Sequence, residues 1–118
     1  HLIHRWPENA LKVTSRTKVK FGEWTHVAIS YDGSSRPNGL KIWINGQLTE
    51  TTIDQNSLTE SIRVDAPFTI GRRTNGETFT GQVAGLHLYN RQISEAEIVA
   101  IAQIDPVKPL LEIAAEKR

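Results

Sequence analysis

The chain contains no cysteine, which excludes disulfides, zinc ribbons and thiol nucleophiles. It leaves the redox compartment open, because a domain of this length can hold its core without covalent staples. An excess of either charge is also missing: fourteen basic against thirteen acidic residues give a formal charge of +1. The positives are scattered rather than striped, so the electrostatic footprint of a nucleic-acid binder is absent and no nucleic-acid partner is expected. No apolar run is long enough to span a bilayer, and no signal peptide is visible; the opening His1-Leu2-Ile3-His4-Arg5-Trp6 reads like the middle of a strand, as expected of an excised fragment. A final absence concerns chemistry. Retaining glycosidases need two carboxyls about 5 Å apart, and no Glu-x-Asp-x-Glu-like run supplies them on one strand face. Glu95 and Glu97 belong to a helix start, while Glu50, Asp54 and Glu60 lie in or beside turns. The chain is therefore read as non-enzymatic, with no catalytic residues.

What is present is the patterning of one soluble domain: 118 residues, 38% hydrophobic and 23% charged. Short alternating runs separated by Gly, Asn, Asp and Pro clusters predict an all-β antiparallel sandwich rather than alternating strands and helices. Leu2–Trp6 and Leu11–Ser15 form a predicted hairpin through Pro7-Glu8-Asn9. Trp24–Tyr31 is largely uncharged on both faces, the signature of a central strand, with Val27, Ile29 and Tyr31 on one side and Trp24 in the core. The turn-rich Asp32–Gly39 leads into Leu40–Ile44, where Leu40, Ile42 and Ile44 share the core face. Asn45-Gly46 supplies the two positive-φ residues of a type I′ hairpin, so Gln47–Ile53 is expected to return as the partner strand. Ala66–Gly71 reads as a short strand and Arg72–Glu77 as a loop. Phe79–Asn90 is the last long strand, its alternation slipping near Ala84-Gly85 as at a β-bulge. Ser94-Glu95-Ala96-Glu97 is a capping box opening a helix whose apolar stripe is Ile98, Ile101 and Ala102. Asp105-Pro106 restarts a second segment, with Leu110, Leu111 and Ile113-Ala114 packing back or leading into a following domain.

The strings Gly22-Glu23-Trp24-Thr25-His26-Val27-Ala28-Ile29-Ser30-Tyr31-Asp32-Gly33 and Leu40-Lys41-Ile42-Trp43-Ile44-Asn45-Gly46 resemble the laminin-G-like jelly rolls of the concanavalin A-like lectin/glucanase superfamily. So does Phe79–Ser94, which looks like that family's terminal strand with its exit into a helix. The opening Leu2–Val13 is similar to the laminin-G-like insert of planctomycete-type bacterial proteins, found beside haem-binding cytochrome c segments and domains of unknown function. The resemblance implies a concanavalin A-like sandwich at residues 1–93, lacking the family's N-terminal strands, followed by a helical tail at residues 94–118. It also implies a sheet edge left open, a template for self-association unless the tail covers it. An extracytoplasmic setting among neighbouring domains of a larger chain fits the same resemblance. The motifs specify a fold and leave function to the site.

Candidate binding residues are few. Trp43 shares a face with Lys41 and Asn45, away from Leu40, Ile42 and Ile44, and a tryptophan with polar neighbours is what stacking on sugar C–H groups requires; the alternative is a second-layer core residue. Arg72, Arg73 and Asn75 form either a polar rim or a solvated loop. Because laminin-G-like and lectin modules often bind calcium through loop oxygens, the resemblance singles out Asp32 and Asp54 as metal ligands, with Asn75 as a further oxygen, against the alternative that Asp32-Gly33 and Asn75-Gly76 are turn formers. His1 and His4, three apart on a strand, face opposite sides and do not chelate together. The readings that follow are a module recognising a glycan or a protein, and a structural spacer without a ligand of its own; no cofactor beyond calcium is expected.

Overall fold

The structure is a computed structural model that describes residues 1–63, 65–72 and 76–104. It divides into two compact units: His1–Ile62 with the described part of Leu88–Asp105, and the described residues of Arg63–His87.

The first unit is a two-layer antiparallel sandwich. One sheet holds β1 (Leu2–Arg5), β2 (Asn9–Ser15) and β6 (Thr51–Asn56), with β2 in the middle; the other holds β3 (Val27–Tyr31), β4 (Leu40–Ile44) and β5 (Gln47–Leu48), with β4 in the middle. The β1–β2 hairpin forms as its sequence predicts, Leu2 opposite Leu11. Asn45 and Gly46 adopt φ values of 51° and 79° between β4 and β5, the paired positive angles a type I′ turn needs. Alternation places Leu11 and Val13 of β2 against Leu40 of β4, joined by Leu58, with Leu2, Tyr31 and Ile42 packed around them. Both sheets thus contribute to one core, as sandwich packing requires.

Three expectations are corrected. The run Gln47–Ile53 is not one strand. After Leu48 it leaves the β4 ladder and joins the other sheet as β6, pairing with β2 from Ser15↔Thr51 to Leu11↔Asn56. Leu48 and Ile53 are both exposed, so no buried face holds the whole run to one ladder. Secondly, among the described residues β3 is an edge strand rather than a central one, and Val27 and Ile29 are 49% and 62% exposed. Only the Tyr31 end of that face meets the core, because β2 faces it there; Trp24, expected in the core, is also exposed. Thirdly, Ala66–Gly71 and Phe79–Asn90 form no strand ladder among the described residues. The second unit is instead a turn closed by the Arg72↔Thr78 bridge and by the Phe79 amide donating to the Gly71 carbonyl at 2.6 Å. Extended residues become a strand only by pairing. Gly85, where the alternation slips, takes φ 65°, a left-handed angle that interrupts an extended run.

The helix α1 (Glu95–Ala102) begins at the capping box: the Ser94 hydroxyl accepts from the Glu97 amide and the Glu97 carboxylate from the Ser94 amide. Ile98 on its stripe is fully buried. The helix lies against the β4–β5 turn, where a methyl added at Gly46 would come within 3.3 Å of the Ala102 Cβ. The second predicted helical segment, with Leu110 and Leu111, lies outside the described residues.

Arg91 grips Glu97 with both guanidinium nitrogens, at 2.9 and 2.6 Å, and this pairing draws the Glu97 pKa from 4.5 down to about 2. The folded-state value lies below the unfolded one, so the stabilisation is complete above about pH 4.5 and is lost as the pH falls through about 2. Far-ultraviolet circular dichroism is expected to show helix loss in that acid window, and Glu97→Gln to flatten it. An unchanged acid profile in the variant would remove the pair from the helix's stability.

Candidate functional site

The passage of the chain from one sheet to the other creates a corner. Thr49 donates its amide to the Ile42 carbonyl of one layer at 2.9 Å, and one residue later the Glu50 carbonyl accepts from the Arg16 amide of the other at 2.8 Å. A Pro37–Gly39 3-10 turn closes the near side; proline at its first position fixes φ where a turn wants it. Between these elements lies a surface groove of about 440 Å³. Its apolar walls come from Leu40, Leu48 and Pro37, and its charged rim from Arg16, Lys41 and Glu50, with Asn38, Thr49 and Thr51 as further polar groups. Among the described residues Glu50 is the one carboxylate in the lining, and it meets the Arg16 guanidinium at 3.5 Å with both side chains largely in water.

The loop entering this region is set by Asp32. Its carboxylate accepts from the Ser34 amide at 2.9 Å, and the Ser34 hydroxyl in turn accepts from the Arg36 amide. The Ser34 hydroxyl, then the Ser34 amide, and more weakly the charge of Lys41 hold the Asp32 carboxyl below the usual carboxylate range. Gly39 fits because any Cβ there would fall 2.0 Å from Asp32 Oδ1. Asp32 is thus a turn-former whose oxygen is already committed. Asp54, on β6, accepts the Thr14 hydroxyl across the ladder. Calcium needs six to eight oxygens, whereas these two carboxylates are engaged in separate local contacts. No group of three metal-ligating side chains occurs among the described residues. As placed, Asp32 and Asp54 do not fit a calcium site.

Of the other residues singled out from the sequence, Lys41 lines the groove, on the β4 face that also carries Trp43. Trp43 itself is only 5% exposed, and its indole nitrogen donates to the buried Ser30 hydroxyl at 3.3 Å. The ring therefore offers no open face for stacking. Arg72 belongs to the second unit, where with Glu77 and Phe79 it lines a shallow depression of about 330 Å³. Arg73 and Asn75 lie outside the described residues. Arg16 and Leu48 have no mark as site residues in the sequence, and Glu50 stands out there only as a carboxylate in or beside a turn. The chain changes sheets between Leu48 and Thr51, and since Leu48 and Ile53 are both exposed, no buried pattern in the sequence marks that change.

Comparison with known proteins bears on the same architecture. The family model described as the concanavalin A-like lectin/glucanases superfamily, of laminin-G-like type, matches residues 3–99. A pentraxin-related protein of Mus musculus is 27% identical over 104 residues, 80% of this chain and 26% of that protein. The crystal structure of an S-layer domain-containing protein from Clostridium thermocellum superposes with a TM-score of 0.56 at 21% identity, over 75% of this chain and 43% of that one. The chain thus spans about a quarter of the curated relative and less than half of the solved one. Among the described residues no helix is long and apolar enough to cross a membrane.

Proposed function

Because the chain belongs to the laminin-G-like group of the concanavalin A-like lectin/glucanases superfamily, we propose that it is a non-catalytic recognition module of a larger protein that seats an extended glycan in the corner groove. The observation that carries this reading is the groove itself: a concave surface with apolar walls and convergent polar groups, positioned by ladders of both sheets. A single carboxylate in the lining among the described residues speaks against glycoside hydrolysis, which uses two flanking the scissile bond. An extracytoplasmic setting belongs to the same proposal, supported by the likeness to an S-layer domain-containing protein.

Amide chemical-shift mapping of the chain against a glycan library tests it. Perturbations are expected to concentrate on Leu40, Lys41 and 48–51, and Leu48→Glu, which puts a charge on an exposed apolar wall, is expected to weaken binding at least about tenfold, the equivalent of one good contact. A library that perturbs no residue would favour the second reading, a spacer that packs on neighbouring domains. That alternative draws on the exposed Val27 and Ile29 of β3, an apolar surface suited to burial by another chain segment.

A further inference from the structure

The connection from β2 to β3 carries a surface that neither the core nor the corner groove uses. Residues 16–26 cross from one sheet to the other, and along them Phe21 is fully exposed while Val19 and Trp24 are each about half exposed. Gly22 turns the chain after Phe21 at φ 75°, and a Cβ built there would meet nothing within 4 Å beyond its chain neighbours, so the turn projects into open space. Apolar side chains gathered on one protruding segment mark an interaction surface. Positive charge is interleaved with them: Lys18 and Lys20 flank Val19 and precede Phe21, both are exposed, and neither makes an ion pair among the described residues. Glu23 is the one carboxylate between residues 16 and 26. Shape and charge together select the partner. A stable protein interface needs on the order of 1,000 Å² of complementary surface, which a single projecting turn does not present. A soluble polyanion would engage the lysines and leave Phe21 in water. An anionic bilayer yields around a protruding tip, takes its apolar side chains at the acyl boundary and meets the cations with phosphates.

We propose that the β2–β3 connection attaches the chain to an anionic membrane surface, with Val19 and Phe21 entering the interfacial layer and Lys18 and Lys20 pairing with headgroup phosphates. A lysine stem runs along apolar surroundings while its ammonium stays wet, so the interleaved lysines hold the phosphates while the apolar side chains insert. Trp24, half exposed three residues after Phe21, suits the headgroup level, where indole rings concentrate. The attachment is to one leaflet, and these side chains lie outside the groove lining, so it stands apart from the glycan reading.

Sedimentation with vesicles of phosphatidylcholine, and of phosphatidylcholine mixed with phosphatidylglycerol, tests the attachment on the 118-residue chain. Binding is expected on the mixed vesicles only, with a blue shift of tryptophan emission that Trp24→Phe abolishes. Lys18→Gln and Lys20→Gln are expected to weaken it about fivefold each, and Phe21→Ser at least about tenfold, the scale of one buried aromatic side chain. Phe21→Leu, which keeps the apolar bulk, is expected to retain most of the affinity, and added salt to weaken every form. Unchanged circular dichroism and thermal midpoints establish that substitutions at these exposed positions leave the fold intact. Sulfated dextran is the control for general polyanion attraction. Dextran binding as tightly as the mixed vesicles, with the lysine variants responding and Phe21→Ser silent, would overturn the bilayer in favour of a soluble polyanion. Equal binding to both vesicle types would overturn the headgroup pairing, and no binding to either would overturn the attachment. Neither result touches the groove, whose residues are read separately by chemical shift.

Discussion

Replacing Trp43 by alanine is expected to destabilise the chain by about 3–5 kcal/mol, the range for deleting a large buried aromatic. The ring sits at 5% exposure on β4, the middle strand of its sheet. Its removal opens a cavity that rigid flanking strands close only in part. The loss extends beyond volume, because the indole N–H is the donor that the buried Ser30 hydroxyl accepts from. Trp43→Phe separates the two effects: it keeps most of the apolar bulk and forfeits the hydrogen bond, for an expected cost of about 1–3 kcal/mol. Guanidinium unfolding followed by circular dichroism measures both. A Trp43→Ala loss below about 1 kcal/mol, the scale of an ordinary surface change, would mean that the ring is not structural and would return it to the list of ligand contacts.

The second large effect is expected at Leu11→Ala, about 2–5 kcal/mol. Leu11 is fully buried on β2, the strand that pairs with both β1 and β6, and it packs in the cluster with Leu40 of the facing sheet. Truncation therefore removes contacts between layers as well as within one. Leu48→Ala supplies the contrast: an exposed side chain on the short β5, expected to change stability by no more than about 0.5 kcal/mol. Equal urea midpoints for the two variants would mean that the core does not lie between the sheets.

The parts of the fold visible in the sequence are those with local causes. The Asn45-Gly46 turn is encoded by two residues that tolerate positive φ, the start of α1 by the reciprocal bonds of Ser94 and Glu97, and the β1–β2 hairpin by alternation on both sides of Pro7. Elements whose form depends on a distant partner were not visible. Phe79–Asn90 carries strand-like patterning, but patterning supplies no ladder. Val27 and Ile29 look like core residues because hydrophobicity records what a side chain favours and not whether a second layer reaches it. Leu58, buried in the core cluster, sits in a polar stretch with no period to mark it. The candidate site was legible only at Lys41. Trp43 was placed on the correct face of β4, yet that face is closed around the ring, and the groove depends on Arg16, Pro37 and Glu50, which come from three separate stretches of chain.

The crossing at Thr49–Glu50 has a mechanical consequence. Tension along Gln47–Asn56 loads two ladders at once, through β4 at one end and β2 at the other. Neither can be unzipped strand by strand from this segment without dragging on the other, so the corner behaves as a rivet that resists the two layers sliding apart.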